Sequence, residues 1–242
     1  MRCDDNIYDK IVEMFGVNRG SVNILEEQID TETQTEYYEM AKNNEDEYTS
    51  EEIIKNKDII FDKNASIDDK KNILVQLASV DDIEAYRAIE KYVNQPNIKL
   101  YHWACLALQE SKMLIESKLL DENKVLITTG LGGKGTKLRY FVVLFSSTGK
   151  NFTRLQQKII KDELNFAFKK SGAELEEIAY SDNLATILSV VPIHVSVQEL
   201  FSDIIDECNL LGSFINLNYI ITNVKVLALD EINEILAVND IY

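Results

Sequence analysis

From Leu138 onward the chain alternates between a strand-like and a helix-like period, and the order of the switches leaves few folds open. Lys137–Phe145 (KLRYFVVLF) reads as a strand. Phe152–Lys170 puts Phe152, Leu155, Ile159, Leu164 and Phe168 on the inward side of a helix, stopped by Gly172. Glu174–Ser181 and Leu184–Val191 read as a hairpin around Asp182-Asn183. Ser196 and Glu199 form a capping box for a second helix, with Val197, Leu200, Phe201, Ile204, Ile205 and Cys208 inward, and Gly212 closes it. Leu217–Leu227 is a further strand and Asp230–Val238 a short final helix. The order from 138 is therefore strand, helix, strand, strand, helix, strand.

The first and third of these strands are the most apolar, LRYFVVLF and LATILSVV, while the second, ELEEIAYS, is polar as an edge strand should be. This agreement of order and burial resembles the ferredoxin-like βαββαβ arrangement. Central strands this apolar need cover on both faces. Two helices cover one, so the helices upstream or a second subunit are expected on the other. Lys124–Thr129 (KVLITT) reads as an extra N-terminal strand, joined through the turn 130–136 to 137–145 as a β-hairpin. It competes for the same edge as the last strand of the motif.

Upstream of 124 the period is helical. Thr49 with Glu52 fits a capping box, and Ser66-Ile-Asp-Asp opens a second helix carrying Ile73, Leu74, Leu77 and Ala78. Ile83, Tyr86, Ile89, Tyr92 and Val93 line a third helix, ended by Gln95-Pro96. A fourth runs from Ile98 to about Leu120 along Leu100, Ala104, Ala107, Leu108 and Ile115. Helix pairs of this spacing, with small residues at Ala104, Ala107 and Ser111, resemble HEAT-like α-hairpins over about 49–120. The resemblance implies a protein-binding face. Residues 1–48 are acidic and polar, with short helices expected near Asp5–Phe15 and Thr31–Lys42 and a loop over 17–30. The expected class is α+β: a segment 1–48, a HEAT-like region 49–123 packed with a ferredoxin-like domain 124–242.

Charge is distributed unevenly. The net formal charge is -16, yet residues 124–170 hold ten lysines and arginines against two acids. Inside that window lies the one glycine-rich stretch, Gly130, Gly132, Gly133 and Gly135, with Lys134, Lys137 and Arg139 in or beside it. These seven residues are the candidate binding site for an anion or an acidic partner. The string matches neither GxxxxGK[ST] nor GxGxxG, and a strand follows where both motifs need a helix N-terminus. A hairpin turn that uses glycine for positive φ is the simpler reading, and four glycines in six residues, more than one turn needs, keep the site reading open beside it. Arg154, Lys158, Lys161, Lys169 and Lys170 lie mostly opposite the apolar stripe of the helix 152–170. They form a solvated face, or a dock for an acidic segment of this chain or of a neighbouring copy.

Other features narrow the function by exclusion. The acidic balance disfavours nucleic acid, whose backbone affinity comes from Lys and Arg. Apolar runs fall far short of the ~20 residues of a membrane helix. The start MRCDDNIYDK has acids where a signal peptide needs its apolar core, so a cytoplasmic protein is expected. Cys3, Cys105 and Cys208 form no framework of bridges. His102 and Cys105 have ligand spacing but no third partner, and no metal or cofactor is expected. No GxSxG, HExxH or Cys/His/Asn pattern appears, and the chain is not read as an enzyme. The string LDENKVLITTGLGGKGTKLRYFVVLF resembles one from bacterial proteins without an assigned role, so it carries over no activity. The expectation is a non-enzymatic interaction or adaptor protein with a protein partner or a second copy of itself. The alternative is a regulatory protein binding an anionic ligand or nucleotide at 130–139.

Overall fold

A computed structural model describes residues 22–43, 48–95, 99–122 and 124–238. The helix expected over Asp5–Phe15, Cys3 and the stop at Pro96 lie outside the described residues. The described chain is mixed α+β with antiparallel pairing in its larger sheet, and it divides into two compact units, 22–127 and 128–238.

The first unit is mainly helical: α1 (Thr31–Asn43), α2 (Ser50–Lys55), a 3-10 turn Lys57–Phe61, α3 (Ile67–Ala78), α4 (Ile83–Val93) and α5 (Tyr101–Leu120). Of the three expected capping boxes, Thr49 with Glu52 and Ser66 with Asp69 are present, whereas at Ser196 only the half in which its hydroxyl accepts from the Glu199 N–H forms. Leu74, Leu77, Ile89, Trp103 and Leu106 are buried together, with Ala104 and Ala107 keeping α5 close to its neighbours. Trp103 donates its indole N–H to the Lys71 carbonyl at 3.1 Å, and the Lys71 ammonium lies 4.4 Å from the ring centre. Tyr37, fully buried, donates to Glu110 at 2.6 Å; burial, with Glu110 beside it, raises its pKa well above the usual range.

Residues 17–30 are not all loop. Val22–Ile24 forms β1, which pairs in parallel with β2, Val125–Ile127, in the register Val22↔Val125. The strand expected to make a hairpin with 137–145 therefore pairs with residues a hundred positions upstream instead. The reason is burial: Val22 and Ile24 are buried and Leu126 packs on the helical core.

The second unit is built on β3 (Gly133–Lys134), β4 (Lys137–Ser146), β5 (Glu174–Ser181), β6 (Leu184–Pro192) and β7 (Ile215–Thr222). Across the sheet the order is β7-β4-β6-β5, with the two-residue β3 continuing the β7 edge of β4. The extra hairpin strand is thus β3, not 124–129. α6 (Arg154–Ser171) and α7 (Val197–Leu210) cover one face. Val142, Leu144, Ile187 and Val191 from the sheet meet Ile160, Leu164, Phe168, Phe201 and Ile205 there.

The other face carries Phe141, Val143, Phe145 and Leu184. Within this unit the helix α8 (Leu229–Val238) covers it with Ile232 and Leu236, joined by Leu131 from the glycine loop. The cover expected from upstream helices or a second subunit comes here from the chain's own last helix. A second correction concerns Leu155, placed inward by its spacing but 69% exposed. Ile160, Leu164 and Phe168 follow one another at i, i+4, i+8, and Leu155 stands five residues before Ile160, well round the helix from that line.

Candidate functional site

The seven hairpin residues are brought together as the sequence suggests. Gly132 and Gly135 have φ of 65° and 59°, the left-handed region that glycine enters without steric cost. Gly130 is needed for closeness, because a Cβ there would overlap the carbonyl oxygen of Val224. Amides that an anion nest would turn outward donate inward instead. The Leu131 N–H goes to the Asn223 carbonyl at 3.0 Å and the Gly132 N–H to the Thr129 carbonyl at 3.1 Å.

All three cations of the hairpin have carboxylate partners on β5, across β6 from β4. Lys134 and Lys137 donate to the two oxygens of Glu174 at 2.7 and 2.6 Å. Arg139 forks onto Glu176 at 2.6 and 3.0 Å, and a further N–H reaches the Leu131 carbonyl at 2.7 Å. Hydrogen bonds from Lys134 and then Lys137 hold the Glu174 carboxyl down to about 2. A β-bulge between Leu175 and Glu177 makes the second pairing possible. It lets Glu176 and Glu177 fall in succession on the face opposite Ile178 and Tyr180, which stay on the α6/α7 core. Sequence reasoning read ELEEIAYS as a polar edge strand and missed that its acids neutralise the basic loop.

His102 and Cys105 share α5, but among the described residues no group of three or more His, Cys, Asp or Glu side chains converges as a metal site would require. Burial pushes the Cys105 thiol up to about 11 and the Cys208 thiol up to about 12, so neither is a thiolate near neutral pH. No helix among the described residues is long and apolar enough to cross a membrane.

A different surface brings exposed apolar and charged side chains together. Between α6 and α7, on the side of the helix layer away from the sheet, lies an open groove of about 740 Å³. Ala167, Leu200 and Ile204 line its apolar part. Its α7 wall is acidic: Glu199, Asp203 and Glu207 recur every four residues, with Asp206 beside them. Its α6 wall bears Glu163, Lys170 and Phe166, the last 69% exposed. Leu155 on α6 and Leu210 on α7, 69% and 78% exposed, share the outer surface of the layer. The sequence reading passed over Phe166; the signal that could have found it is its place off the Ile160–Leu164–Phe168 line, eleven residues and so about three turns on from Leu155.

No protein-family model matches the chain, and no curated protein is significantly similar to it.

Proposed function

We propose that the chain is a non-enzymatic protein-interaction protein that uses the outer surface of its α6/α7 layer. The observation that carries this reading is Phe166, a large apolar side chain left 69% exposed beside an apolar-lined groove with a charged wall. Interface centres are enriched in aromatic side chains of this kind, ringed by polar groups. An anionic ligand or nucleotide at Gly130–Arg139 is the second reading. It ranks behind because such a ligand has to displace Glu174 and Glu176 from all three cations.

In this reading the second unit is ferredoxin-like, supported by the strand order β7-β4-β6-β5 with both crossover helices on one face. The first unit is a HEAT-like stack, supported by the successive helices α3, α4 and α5 around one core. Its exposed helix faces are a second protein-binding surface.

The test is a photo-crosslinking amino acid in place of Phe166, expressed in the native host. A discrete protein adduct is expected, lost in an Asp203→Lys/Glu207→Lys background. If illumination gives no protein adduct, the surface is not a contact site and the reading falls.

A further inference from the structure

The charge on the α6/α7 layer identifies what covers it, given the reading above that this layer is a contact surface. α6 carries Arg154, Lys158, Lys161, Lys169 and Lys170 against two acids, Asp162 and Glu163. α7 carries four acids, Glu199, Asp203, Asp206 and Glu207, and no base. The two helices lie side by side, yet none of these nine side chains of surplus sign makes an ion pair among the described residues. Elsewhere in the same unit the hairpin cations are paired with β5. The layer therefore presents a positive stripe beside a negative one, with Leu155, Phe166 and Leu210 exposed among them.

We infer that this layer is covered by the same layer of a second copy, packed about a twofold axis so that α6 of each protomer lies over α7 of its partner. A simple basic peptide would satisfy α7 and be repelled by α6, and an acidic one would do the reverse. The occupant has to carry both signs in the opposite order. A twofold rotation of this layer supplies that order, because an isologous interface sets each stripe on the other. The helices are of matching scale, 18 and 14 residues, or roughly 27 and 21 Å at ~1.5 Å per residue. The exposed aromatic and leucine side chains then fall between helices, where ridges and grooves interdigitate. A two-helix footprint is at the small end for a specific interface, so the dimer forms at micromolar concentrations and weakens with salt.

The experiment is sedimentation of the full chain over a concentration series at low and high salt, with folding followed by circular dichroism. Wild type is expected to dimerise, with affinity falling by about tenfold or more on going from 50 to 500 mM salt. Asp203→Lys/Glu207→Lys takes α7 from four net negative charges to none and so removes its attraction for α6, and Lys158→Glu/Lys169→Glu turns α6 net negative against the acidic α7. Each variant alone is expected to be a monomer, and an equal mixture to regain a heterodimer. Phe166→Glu, a change at an exposed position that leaves the fold intact, is expected to give a monomer as well. A wild type that stays monomeric at several hundred micromolar overturns the inference. So does a dimer that survives all three variants, since it uses another face, or a mixture that does not associate. If the wild type is monomeric while a crosslinker at position 166 still captures a different protein, the contact surface stands and its self-pairing falls. If neither occurs, both fall.

Discussion

Glu174 accepts from two lysines at once, and its carboxyl is held at about 2 where an unfolded chain titrates near ~4.3. A carboxyl lowered in the folded state favours folding at every pH above its unfolded value. That contribution is lost as pH falls from about 5 towards 2, because the folded protein then has to take up a proton the unfolded chain already holds. Glu174→Gln is therefore expected to melt with a shallower loss of stability between pH 5 and pH 2 than wild type. Superposable acid limbs in chemical or thermal denaturation would rule the pairing out as a contributor. Nothing in the local sequence announces this pair, since the residues that meet are 37 and 40 apart in the chain. The glycines beside it were partly legible: positive φ at Gly132 and Gly135 is what a tight turn asks for, whereas Gly130 answers to Val224, a residue from another loop.

At the scale of elements, caps and stripes carried most of the information. α6 begins at Thr153, whose hydroxyl accepts from the Gln156 N–H at 3.3 Å while the Gln156 side chain accepts from the Thr153 N–H at 2.8 Å. Thr153→Ala is expected to cost about 1 kcal/mol of stability in denaturant titrations, as loss of a helix cap does. An unchanged midpoint would mean that α6 is held by packing alone. The capping boxes at Thr49 and Ser66 were legible from four residues each, because the donor and acceptor lie within one turn. Leu155 shows where periodicity fails. Two apolar lines share one helix, and spacing cannot say which of them meets the sheet until the sheet is in place. The same ambiguity hid Phe166, whose exposure now carries the functional reading.

For the whole molecule, the two units have separate cores. The clusters around β4 and β6 draw only on residues between Leu131 and Leu236. A fragment spanning 128–242 is accordingly expected to melt in a single cooperative transition, followed by far-ultraviolet circular dichroism. A gradual, featureless melt would show that this unit depends on the rest of the chain.

The sequence by itself determined the order of strands and helices from 138 onward and which of those strands are central, because periodicity and end signals are properties of a few neighbouring residues. It also set the opposite charges of α6 and α7, which are composition along each helix. Only the tertiary structure decided that Val125–Ile127 pairs with Val22–Ile24, that α8 closes the second face of the sheet, and that β5 neutralises the glycine hairpin. Each of these joins residues far apart in the chain, chosen by burial and by reach across the sheet, and neither quantity exists until the elements have packed.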